Sequence, residues 1–239
     1  MARFYLLRLL KDYLGHIILM GLPLILITLM VSINRDAPGA PPVEEAALFI
    51  GLIYILMFQG FGAAYTFEGL EFDFFKPFKD RLLMSPVPPY RFVLANLIFS
   101  TLISYVQSIL LLGYVMLVFG AAVTNFISVL LILLLGVIFA QLFAAVLVLV
   151  LKKAAKAQAA ITLYIIAAMI LAGFFFPLPS SDLTAWLSEY SSPMAWTHRA
   201  LYGVMEMNYE VLLSSLGLLS GATLLMAGFV VLLSRRVLV

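Results

Sequence analysis

Uncharged apolar runs recur along the chain, with short charged or proline-broken segments between them. Asp, Glu, Lys and Arg are absent from 17–34, 46–67, 92–151, 157–181 and 211–234. A hydrocarbon core of about 30 Å takes roughly 20 helical residues to cross. The third run is long enough for two crossings, and Gly120 with Thr124 and Asn125 marks the turn between them. Six spans are therefore predicted, at 16–34, 46–66, 92–119, 125–151, 157–177 and 211–233. All six read as helices, because none shows the alternation of a barrel strand and only helices or closed barrels satisfy their backbone inside lipid.

The segments outside these runs have patterns of their own. Before the first span, Tyr5, Leu9 and Tyr13 share one helical row and Leu6 and Leu10 the next, with Arg3, Arg8, Lys11 and Asp12 opposite. That pattern predicts an amphipathic helix lying in the membrane interface; a basic segment that only sets topology accounts for the same residues. Between spans two and three, "FFKPFKDRLLMSPVPPYR" predicts a short helix from Pro77 to Met84, stopped by the Ser85-Pro86 pair. On it Phe78 and Leu82 form an apolar edge one turn apart, flanked by Lys76, Lys79, Asp80 and Arg81, with Leu83 beside them. Such an edge suits docking into a groove on a soluble partner. Between spans five and six, Ser192 before Pro193 reads as an N-cap with proline at the first helical position, opening a helix over 193–207. A shorter helix precedes it, capped by Ser181 or Asp182. Trp186, Trp196, Tyr190 and Tyr202 are rings that favour the membrane interface, so the pair is expected to dip into the outer leaflet or to cap the bundle there. His198 and Arg199, beside Trp196, read first as interfacial anchors and second as groups that meet an anionic headgroup or substrate.

Composition confirms the class. Of 239 residues, 64% are hydrophobic and 11% charged, against about 45–50% and about 25% in soluble domains, so polar groups are too few to cover a soluble surface. The chain reads as an all-α integral membrane protein with one transmembrane domain over 1–239. With the N-terminus cytoplasmic, every Lys and Arg falls on inner segments except Arg35 and Arg199, and this bias sets orientation. Both termini are thus expected in the cytoplasm. The stretch "NRDAPGAPP" after the first run lacks a well-placed A-x-A site, so no cleaved signal is expected. The absence of cysteine excludes disulfides and thiolate metal sites, and no metal site is predicted. The charges are sorted by membrane side, which leaves nothing for nucleic acid.

"RLLMSPVPPYRFVLANL" resembles the segment that enters span three in the membrane subunits of ATP-binding-cassette exporters of the type-2 permease class. "GFFFPLP" with "WLSEYSSPMAWTHRAL" resembles the outer re-entrant helices of that family, and the amphipathic start and six spans follow its order. One departure is that Glu68-Gly69, the counterpart of the family's acidic, glycine-containing lead-in, lies upstream with "EFDFFKPFK" inserted after it. The resemblance implies a multi-pass permease in a prokaryotic cytoplasmic membrane, paired with a second copy or a similar chain and with two ATPase subunits that bind ATP and Mg. It makes Lys76 to Met84 the coupling helix and places the substrate path on spans two and five. The residues there are Gln59, Gly60, Gly62, Gln158, Thr162, Phe174, Phe175 and Phe176. The chain has no G-x-x-x-x-G-K-[ST] phosphate loop, so it is not expected to be an enzyme or to bind a cofactor itself. An apolar lining favours hydrophobic drugs or antimicrobials as cargo, with lipids or lipid-linked glycans as the alternative. A membrane hydrolase lacks its nucleophile or metal cluster here, and a channel or secondary carrier lacks intramembrane charges and internal repetition.

Because the chain has no native cysteine, topology is directly testable with single cysteines. In intact cells a membrane-impermeant maleimide should label Ala40→Cys and leave Ala154→Cys unlabelled until the cells are opened; the reverse pattern would invert the orientation.

Overall fold

The computed structural model describes residues 13–35, 39–76, 79, 84, 88, 90–176 and 178–236. The N-terminal interfacial helix and most of the 77–84 helix expected from sequence lie outside these residues. The regular structure among the described residues is all helical: α1 (Tyr13–Arg35), α2 (Val43–Phe61), α3 (Ala64–Phe75), α4 (Tyr90–Phe119), α5 (Phe126–Leu151), α6 (Ala154–Leu171), α7 (Asp182–Tyr190), α8 (Pro193–Met205) and α9 (Tyr209–Arg236). Six membrane-length apolar helical segments occur among the described residues, with α2 and α3 counting as one.

That second span differs most from the sequence expectation. It runs over 33 residues, Val43–Phe75, about 50 Å at 1.5 Å per residue, and so extends well beyond a hydrocarbon core. The uncharged run stops at Phe67, whereas the helix continues because Phe67, Leu70 and Phe74 recur at helical spacing and are almost wholly buried. Asp73 on the same helix is buried too. The link to the third span thereby begins at Lys76 rather than at Glu68.

The span is not straight. Gly62 and Ala63 interrupt it, and there Ala63 N–H bonds to Gly60 O at 3.1 Å and Tyr65 N–H to Gly62 O at 3.3 Å. These tighter i to i−3 bonds keep the backbone paired through the break. Gly62 also lets α4 approach, since a Cβ there would stand 2.7 Å from Ser104 Oγ.

The fifth span is shorter than the 157–177 expected, because α6 stops at Leu171. Gly173 takes φ +72°, Gly173 N–H bonds to Ile170 O and Phe174 N–H reaches back to Met169 O, both at 3.0 Å. This is a Schellman stop, which needs a left-handed residue just past the helix, and it turns Phe174, Phe175 and Phe176 out of the span. A similar stop at Met207, φ 57°, ends α8. Asn208 Oδ1 then accepts from Val211 N–H at 3.2 Å and opens α9. The expected caps of the short helices are present: Ser181 forms a capping box with Thr184, and Ser192 Oγ accepts from Ala195 N–H at 3.2 Å.

Helix α5 is the hub, packed against α2, α3, α4, α6, α8 and α9, and its apolar residues lie on every side, as a central helix requires. Apolar side chains point outward from α1 (Ile17, Ile25, Ile33) and α9 (Leu213, Leu224, Leu232), which suits contact with lipid. Helix α8 is part of the core rather than a cap over it, with Ala200 and Leu201 fully buried. Its tightest contact is at Gly203, where a Cβ would lie 2.9 Å from Leu212 N and 3.1 Å from Leu212 Cα. Backbone atoms cannot step aside as a side-chain tip can. Gly203→Ala should therefore destabilise the bundle by about 1–3 kcal/mol, read as a fall in the thermal unfolding midpoint of the solubilised protein. Gly221→Ala, with nothing within 4 Å of the added carbon, should leave the midpoint unchanged or raise it.

Candidate functional site

Two features stand out where α2 and α3 meet their neighbours. The first is a polar cluster at the break in the second span. Above the break, Gln59 Nε2 donates to Ser108 Oγ on α4 at 3.1 Å and to Leu133 O on α5 at 3.3 Å. Below it, Thr66 Oγ1 donates to Gln141 Oε1 on α5 at 2.6 Å, and Gln141 Nε2 donates to Ser104 Oγ on α4 at 2.9 Å. A second chain runs from Gln107 Nε2 to Tyr65 OH at 3.1 Å, and Tyr65 OH shares a hydrogen bond with His16 Nδ1 at 2.6 Å. Both sides of the break are thus tied to the same two helices. Inside lipid there is no water to compete for these groups, so such bonds hold helices in register. On α4 the polar residues Asn96, Ser100, Ser104 and Ser108 recur every fourth position, forming one buried stripe.

The second feature is a row of three hollows along the seam between α2/α3 and α6. One, about 530 Å³, lies at the 76–89 end among Phe67, Glu68, Glu71, Lys76 and Gln158. A small one of about 40 Å³ lies midway, at Gln59, Gly60, Gly136, Tyr164 and Thr197. The largest, about 1080 Å³, opens at the opposite end between α1, α2, α8 and the 174–176 turn. At the first hollow Glu71 Oε2 pairs with Lys76 Nζ at 3.1 Å, while its Oε1 accepts from Ala154 N–H at 3.2 Å. Glu71 thereby caps the start of α6 from the end of α3, where a carboxylate is favoured by the helix dipole.

The residues singled out from sequence fall at different places on this frame. Gly60 lies on the seam, where a Cβ would meet Ile165 Cδ1 at 2.6 Å. Gly62 faces Ser104 on α4 instead. Gln59 borders the small hollow and spends its amide on the polar cluster. Gln158 lines the first hollow and reaches Thr162 at 3.4 Å, whereas Phe174, Phe175 and Phe176 line the largest. Of the predicted coupling helix, Lys76 is paired with Glu71, Lys79 N–H closes a turn on Lys76 O, and Met84 is exposed. Pro77, Phe78, Asp80, Arg81, Leu82 and Leu83 lie outside the described residues. His198 and Arg199 part company. The His198 ring packs among Phe174, Tyr202 and Phe49, at 4.6, 4.7 and 5.6 Å between centroids. Arg199 instead pairs with Glu189 at 3.0 Å and lies over the Tyr190 ring, while Trp196 Nε1 donates to Tyr190 O at 3.1 Å. These contacts fasten α8 to α7 as a hairpin. Trp186 stays exposed beside Tyr190.

Sequence reasoning missed Thr66, Gln107, Gln141 and the α4 stripe. The every-fourth-residue spacing of Asn96, Ser100, Ser104 and Ser108 was the signal available. Replacing Gln141 by Leu removes two cross-links and strands Thr66 and Ser104, so it should cost roughly 0.6–1.7 kcal/mol per lost interhelical bond at most. Denaturant titration of the solubilised protein reads this. Leu163→Ala on the exposed face of α6 serves as the near-neutral control.

Comparison with curated proteins gives no match. The family model described as ABC-2 family transporter protein matches residues 40–234, which takes in everything from the second span to the sixth, including the broken helix and the α7–α8 hairpin. The chain belongs to the ABC-2 transporter family and is the membrane permease component of an ABC transporter.

Proposed function

We propose that this permease exports hydrophobic or amphipathic compounds, drugs or antimicrobials, from the cytoplasm or inner leaflet, driven by ATP hydrolysis on two separate ATPase subunits. Two permease chains, identical or similar, pair to form the pathway. The family match over 40–234 carries the reading. The lack of a phosphate-loop motif in the chain supports placing ATP and Mg on a partner.

The geometry supports a route for the force. Helix α3 stays helical to Phe75, so a push on the 76–84 segment meets a rigid lever rather than a slack loop. Glu71 joins that lever to Lys76 and to the start of α6, which couples the second and fifth spans to one input. The break at Gly62 and Ala63 lets the inner part of the lever tilt, and the polar cluster offers discrete hydrogen-bonded arrangements between which packed helices switch. The hollows between the same two spans then supply the path for cargo, with Gly60 at its narrowest point.

Copurification with the ATPase subunit tests the assembly: Phe78→Glu with Leu82→Glu should abolish capture of the ATPase while the permease still inserts in the membrane. Gly60→Leu should slow ATP-driven transport about tenfold or more and leave ATPase capture intact. Full transport by the permease alone in liposomes would defeat the exporter reading, and undiminished transport by the Gly60 variant would move the path off the seam.

A further inference from the structure

The largest hollow has a chemistry that apolar character alone does not describe. Glu45 and Phe49 stand one turn apart on α2, and Tyr202 and Glu206 stand one turn apart at the end of α8. Both pairs line the hollow, and the Phe49 and Tyr202 rings meet edge to face at 6.2 Å between centroids. Two carboxylates therefore flank a joined pair of aromatic rings, and both act electrostatically on the Tyr202 hydroxyl. Neither carboxylate has an ion-pair partner among the described residues. The described lining contains no Lys, Arg or His.

Most of the remaining wall is apolar. Phe174, Phe175 and Phe176 bring three more rings to it. His198 backs the wall, touching Phe49, Phe174 and Tyr202, with its Nε2 buried and free of hydrogen bonds among the described residues. Packing against His198 positions the Phe49, Phe174 and Tyr202 rings before a ligand arrives, which lowers the freedom lost on binding. The volume of about 1080 Å³ exceeds the few hundred Å³ that a small-molecule site needs.

Each candidate cargo meets this surface differently. An anion meets two unneutralised carboxylates and is repelled. A neutral apolar molecule fills the space and leaves the carboxylates as they were. An organic cation is attracted by both carboxylates, and the faces of the rings attract it as well. We infer that this cleft binds a hydrophobic organic cation, its charge held between Glu45 and Glu206 and its apolar body against Phe49, Tyr202 and the 174–176 turn. The inference rests on the exporter reading in that it states the charge of the cargo, but the site is testable without the ATPase.

Tetraphenylphosphonium and tetraphenylborate share one shape and carry opposite charges, so they isolate the effect of charge. Binding of each to the full chain in lipid nanodiscs, with empty discs subtracted, should favour the phosphonium by about tenfold or more. Glu45→Gln with Glu206→Gln should weaken phosphonium binding about tenfold and leave the borate unchanged or tighter. Both glutamates are exposed, so these substitutions leave the core intact. Phe49→Leu should weaken the phosphonium while sparing the fold. Equal affinity for the two ions, or phosphonium binding indifferent to the double substitution, would overturn the assignment. So would a second permease copy filling the cleft, seen as a failure to bind either ion together with a change of oligomeric state in the double variant. Cation binding without ATPase capture would leave this site standing and remove the exporter reading, and the converse result would do the reverse.

Discussion

A helix bundle in hydrocarbon has no water to satisfy polar groups, so any break in a helix and any buried amide or hydroxyl must be answered from within the bundle. In this chain that requirement converges on the second span. The turn at Gly62 and Ala63 keeps its backbone paired through i to i−3 hydrogen bonds. Gln59 and Thr66 on either side of it are held by Ser108, Gln141 and the Leu133 carbonyl. Helix association in lipid gains nothing from expelling water, since the surroundings are as apolar as leucine. Close approach and polar cross-links carry it instead, which is why the glycine notch at Gly62 and the serine stripe of α4 occur together.

The same constraint explains the α7–α8 hairpin. Two short helices that turn back on each other leave helix ends and a loop whose polar groups need partners within the protein. Ser192 supplies the cap, Arg199 is neutralised by Glu189, and Trp196 satisfies the Tyr190 carbonyl. Once closed on itself, the hairpin offers an apolar face to α5 and α9, with Gly203 setting the distance of closest approach. It also brings Tyr202 and Glu206 opposite Phe49 and Glu45. The wall of the large cleft is therefore a consequence of how the hairpin is packed.

In the proposed exporter, input and cargo path share one frame. The lever formed by α3, its link through Glu71 to the start of α6, and the hollows along the seam all lie on the second and fifth spans. Helix α2 runs from the break to Glu45 without interruption, so one continuous helix joins the polar cluster to the large cleft.

Much was legible in the amino-acid sequence. The apolar runs, the glycine and asparagine turn after the third span, and the Ser181 and Ser192 caps follow from local chemistry, and local chemistry is written residue by residue. The extent of the second span was not legible, because Glu68, Glu71 and Asp73 read as a loop until Phe67, Leu70 and Phe74 are seen to bury themselves against other helices. Nor was the early stop of α6 before Gly173, which separates the three phenylalanines from the span that the uncharged run assigns them to. The six spans and the family resemblance were thus set by composition and order, since the cost of exposing polar groups to lipid acts on each segment by itself. Which polar residues meet one another, where His198 and Arg199 turn, and how two distant carboxylates come to share one aromatic cleft were decided only by tertiary packing. Those relations depend on residues far apart in the chain reaching the same depth on facing helices.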